Sequence, residues 1–120
     1  MDDQLSTSDI NKYLCNVKHF KGVFPINKVA AIQPKKEEYV TFIANLQPDN
    51  LPGNHWVAVR RTNEYCGFYF DSYGRLPPPE IQMWLTKNSS KWTYNFLRIQ
   101  NTKDVSACGY LCIAFVKNLF

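Results

Sequence analysis

Apolar residues recur with helical spacing towards the C-terminal end of the chain. Residues 106–116 contain no proline and stay largely apolar beyond the length of one strand, and Leu111, Phe115 and Leu119 follow one another at intervals of four. This spacing predicts a largely buried helix, and Cys108 falls in its first turn.

Capping residues and spacing predict two more helices. A polar cluster at residues 6–9 offers N-cap candidates, and the apolar residues after it recur at three and four, so an amphipathic helix is expected at about 7–16. Proline suits the first turn of a helix, and Pro79 precedes apolar residues at helical spacing. A helix is therefore expected to begin at Pro79.

Short runs rich in β-branched and aromatic residues predict four strands, at residues 39–46, 55–60, 65–71 and 92–100. A short polar segment separates the second from the third, which predicts a hairpin. Prolines interrupt residues 22–36, and we expect an irregular or edge-strand region there. The order of elements, which is a helix, then strands, then a helix and a strand, then a long terminal helix, predicts an α+β fold.

The composition favours one folded domain over residues 1–120. The hydrophobic share is 45% and the aromatic share 15%, which argues for a packed core. Fourteen Lys and Arg against ten Asp and Glu give a net charge of +4, but no basic run exceeds two residues, so at most weak, non-specific nucleic-acid binding is expected. The first residues are acidic and polar, and no apolar run approaches a membrane span. We expect an intracellular monomer, in cytoplasm or nucleus, without a membrane partner.

The four cysteines, Cys15, Cys66, Cys108 and Cys112, show no paired CxxC spacing. An intracellular setting keeps thiols reduced, so neither a disulfide nor a metal site is expected. Cys108 and Cys112 would share one helix face, but two ligands are too few for zinc. Cys112 is therefore expected in the core.

Cys108 is a candidate nucleophile because of its place at a helix N-terminus. The helix dipole and the unpaired backbone N–H groups there favour a thiolate over a thiol. The dipole contributes about 1 to 2 kcal/mol, whereas an imidazolium about 4 Å away contributes roughly 4 kcal/mol at an effective dielectric constant of about 20. This interpretation therefore needs a histidine partner. The alternative is that Cys108 is an ordinary buried core cysteine.

His55 and Asp71 occupy positions that a hairpin brings together. His55 opens the second strand and Asp71 closes the third, so both lie at the same end of the sheet. His55 would then be the base for Cys108, and Asp71 would hold the imidazole in one tautomer. Gln100 could donate its amide N–H to the oxyanion, together with the Cys108 backbone N–H. Singly, His55 is more often a packing residue, Asp71 a turn former and Gln100 a surface amide.

Four motifs together resemble, in order and rough spacing, the His, Asp, Gln and Cys motifs of the adenovirus maturation protease (adenain) family and its ubiquitin-like-protein-specific relatives. They lie at residues 53–59, 69–74, Gln100 and 106–112. More loosely, residues 5–10 and 22–25 resemble the amino-terminal part of small proteases carried by adenovirus-like viruses and by Polinton-type elements of invertebrates.

The resemblance implies a thiol protease with a papain-like or adenain-like fold. In that fold the buried C-terminal helix packs against a central mixed or antiparallel sheet, and the nucleophile lies at the start of this helix. Its catalytic triad would be His55, Asp71 and Cys108, with the oxyanion hole completed by Gln100 or Asn101. The reaction it implies is endopeptidase processing of viral or mobile-element structural protein precursors, including capsid proteins. A viral protein of this kind would also be present in the virion.

The resemblance also implies where substrate binds. Family members cut beside small residues, commonly Gly, because an aromatic residue next to the catalytic His roofs a narrow cleft. Trp56 stands at that position, and Asn54 and Trp56 are the substrate-binding residues that this implies. The partner is a protein or peptide substrate. No cofactor is carried over, because the chain is shorter than adenain and lacks the extra elements on which that enzyme's peptide cofactor docks.

Three other functions fit the same residues. An isopeptidase that removes ubiquitin-like modifiers would use the same chemistry. An acyltransferase would use the same triad, but it needs a coenzyme A site with clustered basic residues, and the sequence shows no compact basic cluster. A catalytically silent binding domain would carry an inert Cys108.

Overall fold

The computed structural model describes residues 5–46, 55–97 and 107–119, which form one sheet flanked by helices. In chain order the elements are α1 (Thr7–Leu14), β1 (Phe20–Pro25), a 3-10 helix (Ile26–Ala31), β2 (Val40–Asn45), β3 (Trp56–Arg61), β4 (Cys66–Phe70), α2 (Pro79–Asn88), β5 (Lys91–Tyr94) and α3 (Ala107–Val116). None of these helices is long and apolar enough to cross a bilayer.

The five strands lie in the sheet in sequence order, from β1 at one edge to β5 at the other. β2, β3 and β4 are antiparallel to one another, whereas each edge strand is parallel to its neighbour. The predicted α+β fold is therefore confirmed, and of the two kinds of sheet expected, mixed or antiparallel, the sheet is mixed. The predicted hairpin joins β3 to β4, with Ala58 opposite Phe70.

Side chains of the sheet alternate between two apolar cores. On one face, Trp56, Ala58 and Phe70 pack against α1 and α3. On the other face, Val57 and Val59 pack against α2 and the 3-10 helix. The first of these cores brings the start of α3 over the start of β3.

Local signals explain the helix ends. Ser6, one of the N-cap candidates at residues 6–9, caps α1 and forms a reciprocal capping box with Asp9. α3 ends in a Schellman motif, in which Asn118 has a positive φ of 59° and Leu119 N–H donates to the Ala114 carbonyl.

Three elements differ from the sequence prediction. The strand expected at 92–100 is β5, which already ends at Tyr94. Leu119, expected to continue the apolar face of the C-terminal helix, lies beyond the helix end and is 69% exposed. The region 22–36 contains the expected edge strand, but β1 begins at Phe20 and a 3-10 helix follows it.

Candidate active site

His55 and Asp71 meet at one end of the β3–β4 hairpin. His55 directly precedes β3 and Asp71 directly follows β4, so the antiparallel pairing places them side by side. His55 Nε2 lies 2.8 Å from Asp71 Oδ1, and the two side chains are 14% and 2% exposed. This is a largely buried hydrogen bond between an imidazole and a carboxylate.

Cys108 joins this pair from the first turn of α3. The backbone N–H of Trp56 donates to Cys108 Sγ at 3.5 Å, which fixes the sulfur against the start of β3. Gly109 permits this approach, because a Cβ there would lie 3.2 Å from Trp56 Cδ1 and 3.3 Å from Leu5 Cδ1. A side chain at this position would push α3 away from the sheet.

The surroundings of His55 favour its charged form. Burial of the ring opposes protonation, but hydrogen bonding and charge from Asp71 and Cys108 outweigh it and raise the pKa of His55 to about 9. His55 Nδ1 is buried and has no hydrogen bond of standard geometry to a described residue. Because Cys108 contributes to the raised pKa of His55, its side chain lies close enough to influence the ring. At neutral pH the ring is an imidazolium.

Hydrogen bonds hold both the carboxylate and the backbone of Asp71. Its Oδ1 also accepts the Tyr73 backbone N–H at 2.8 Å. The Asn95 side chain accepts the Asp71 backbone N–H at 2.8 Å and donates Nδ2–H to the Asp71 carbonyl at 2.6 Å. Gly74, with φ of 72°, closes a turn onto the same carbonyl at 2.7 Å. These bonds fix the carboxylate that faces His55.

A stack of side chains covers the imidazole. The rings of His55 and Tyr73 are nearly parallel, with centroids 4.5 Å apart and an interplanar angle of 9°. The Arg75 guanidinium lies over the Tyr73 ring, 4.7 Å from its centroid. Tyr73, Arg75 and Asn95 were not predicted from the sequence as site residues, because ring stacking and side-chain pairing with a distant backbone leave no periodic signal.

The structure describes some of the remaining residues that the sequence singled out. The Trp56 side chain, expected to roof the cleft, is 1% exposed and belongs to the core between α3 and the sheet. It contacts the site through its backbone N–H instead. Gln100, Asn101 and Asn54 lie outside the described residues. Cys112, expected in the core, is fully buried.

A large cavity lies elsewhere. Its volume is about 670 Å³, and residues of the 3-10 helix and α2, including Met83 and Lys87, line it. Neither His55, Asp71 nor Cys108 contributes to its lining. Among the described residues, no group of three or more His, Cys, Asp or Glu side chains is placed to hold a metal ion.

Comparisons with known proteins identify the fold. No protein-family model and no curated protein matches the chain. The crystal structure of ASFV pS273R protease matches with a TM-score of 0.56 and 20% identity, covering 96% of this chain and 58% of that one. A selenomethionine crystal structure of that protease matches with a TM-score of 0.57 and 18% identity, covering 96% of this chain and 59% of that one. The central domain of the uncharacterized Lpg1148 protein from Legionella pneumophila matches with a TM-score of 0.59 and 14% identity, covering 99% of this chain and 76% of that one.

These identities are low, and the likeness concerns the fold alone. The chain spans about three fifths of the length of the ASFV protease, at 58% in one crystal structure and 59% in the other. The fold is compact α+β with a five-stranded mixed sheet, as the sequence predicted in outline. The chain therefore has the fold of a viral cysteine protease.

Proposed function

We propose that this chain is a cysteine endopeptidase in which Cys108 is the nucleophile, His55 the general acid and base, and Asp71 the group that orients and charges the imidazole. One observation carries the proposal. His55 is hydrogen-bonded to a buried carboxylate and lies beside a cysteine in the first turn of a helix. The cysteine-protease-like fold supports it.

Three features of the site favour a thiolate at Cys108. The first is the imidazolium of His55, because a positive charge beside a sulfur attracts the thiolate form. The Trp56 N–H donates to the sulfur, and the first turn of α3 adds the positive end of a helix dipole. The sulfur would therefore rest as an ion pair with His55.

The proposed reaction proceeds in two stages. The Cys108 thiolate attacks the peptide carbonyl carbon to form a carbon–sulfur bond, and the carbonyl oxygen becomes an oxyanion. As the carbon–nitrogen bond breaks, His55 gives its Nδ1 proton to the leaving amine, and a thioester remains. Water then attacks the thioester while His55 takes its proton. Release of the acid restores the thiolate and the imidazolium.

The Asp71 carboxylate has a separate role. Its bond to Nε2 keeps that nitrogen turned away from the sulfur, so that Nδ1 serves the reaction. We assign Gln100 or Asn101, with the Cys108 backbone N–H, to the oxyanion hole. From the resemblance of the motifs we also propose Gly-containing cleavage sites in structural protein precursors.

Cleavage of a peptide library containing Gly at varied positions tests this function. We expect cleavage by the wild-type chain and none by Cys108→Ser. The matched control is Cys112→Ser, since Cys112 is buried one turn further along α3 and its pKa is raised, first by burial and then by the charges of Cys108 and Asp71. Cleavage that persists in Cys108→Ser, or preference for large residues beside the scissile bond, would contradict the proposal.

A further inference from the structure

We propose that Tyr73, with Arg75 behind it, is a positioning residue that fixes the plane of the His55 ring. The two rings are stacked with centroids 4.5 Å apart and planes 9° from parallel. The inference rests on the proposed function, because it assigns Tyr73 a role only if His55 serves Cys108.

One hydrogen bond leaves an imidazole free to tilt. The contact from Nε2 to Asp71 Oδ1 fixes one atom of the His55 ring but not the ring plane, which still rotates about the bond between Cβ and Cγ. A parallel aromatic ring in contact with one face blocks this rotation, because tilting drives a ring edge into it. Tyr73 therefore keeps Nδ1 directed along a single line.

Tyr73 is itself anchored in two ways. Its backbone N–H donates to Asp71 Oδ1 at 2.8 Å, the same oxygen that faces His55. The Arg75 guanidinium also lies over the Tyr73 ring, 4.7 Å from the ring centroid. Both the backbone and the ring of Tyr73 are therefore held in place. The tight turn at Gly74 connects Tyr73 to Arg75.

The stacking of Tyr73 on His55 also affects the protonation of the His55 ring. The face of an aromatic ring attracts a cation, so Tyr73 favours the imidazolium over the neutral imidazole. Within residues 5–46, 55–97 and 107–119, the groups shown to interact with the His55 ring are Asp71, Cys108 and Tyr73. Arg75 is exposed, so water screens its repulsion of the imidazolium.

The test compares Tyr73→Phe, Tyr73→Leu and Tyr73→Ala with the wild-type chain. The rate of Cys108 alkylation is measured against pH, the His55 pKa by NMR, and folding by thermal denaturation. Tyr65→Ala is the matched control, because Tyr65 is 60% exposed at the far end of the β3–β4 hairpin.

We expect Tyr73→Phe to keep the alkylation rate within about twofold, because it retains the ring. In Tyr73→Leu and Tyr73→Ala the rate at mildly acidic pH falls about tenfold, or about 1.4 kcal/mol. Their His55 pKa falls by about half a unit to one unit. Tyr65→Ala leaves both quantities unchanged.

Each remaining outcome is decisive. A folded Tyr73→Leu or Tyr73→Ala variant with wild-type alkylation and His55 pKa would overturn the inference, and so would Tyr73→Phe losing as much as Tyr73→Leu. If Tyr73→Ala does not fold, Tyr73→Leu decides the matter. A wild-type chain whose Cys108 reacts no faster than Cys112 would instead overturn the proposed function.

Discussion

Replacing Asp71 by asparagine removes the charge beside His55 while nearly conserving the shape of the side chain. The amide oxygen can still accept the Tyr73 N–H, and the backbone bonds to Asn95 do not involve the replaced atoms. The variant therefore tests the charge of Asp71 with little change to the turn that follows β4.

The magnitude follows from the His55 pKa. Its rise from 6.5 to about 9 corresponds to about 3 kcal/mol in favour of the charged ring. This is a net value, because burial of the ring lowers the pKa while Asp71 and Cys108 raise it. The hydrogen bond from Asp71 is the largest of the contributions that raise the pKa. Without the carboxylate charge, burial dominates, and we expect the pKa to fall by about two units or more.

The consequence is measured by NMR titration of His55 and by kcat/KM against pH. At about pH 8 the ring of Asp71→Asn is largely neutral whereas the wild-type ring is still charged, so the ion pair with Cys108 is lost and kcat/KM falls at least about 100-fold. The wild-type chain should lose activity on the alkaline side as pH rises through about 9. An unchanged His55 pKa in Asp71→Asn would refute this reasoning.

Three further outcomes are expected. Asn95→Ala removes both side-chain bonds to the Asp71 backbone and should slow peptide cleavage about tenfold and lower the free energy of unfolding by about 1 to 3 kcal/mol. Gly109→Val should force α3 away from Trp56 and destabilise the fold by about 1 to 3 kcal/mol in chemical denaturation. Because the folded-state pKa of His55 is raised, its stabilising contribution is complete below pH 6.5 and disappears as pH rises through about 9; unfolding free energies of the wild-type chain and His55→Asn should converge over that range.

The parts of the site that sequence predicted depend on local pattern. Two strands joined by a short turn must pair antiparallel, so the flanks of the hairpin were enough to bring His55 and Asp71 together. Apolar periodicity likewise placed Cys108 in the first turn of a buried helix.

The parts that sequence did not predict depend on tertiary contacts. The pattern at 92–100 suits a strand, but β5 ends at Tyr94, and the next residue, Asn95, pairs with the Asp71 backbone through its side chain. Trp56 was assigned to substrate through a family resemblance, yet α3 covers its side chain at the point where Gly109 allows close approach. Neither arrangement is encoded by periodicity.

The central claim is that Cys108 rests as a thiolate beside a charged His55. Alkylation at mildly acidic pH, followed by mass spectrometry, tests it most directly, because Cys15 and Cys66 are exposed whereas Cys108 is 1% exposed. Exposure alone would make Cys15 and Cys66 react first. We expect Cys108 to react fastest, and His55→Ala to abolish its advantage. Slow, uniform labelling, or labelling ordered by exposure alone, would contradict the claim.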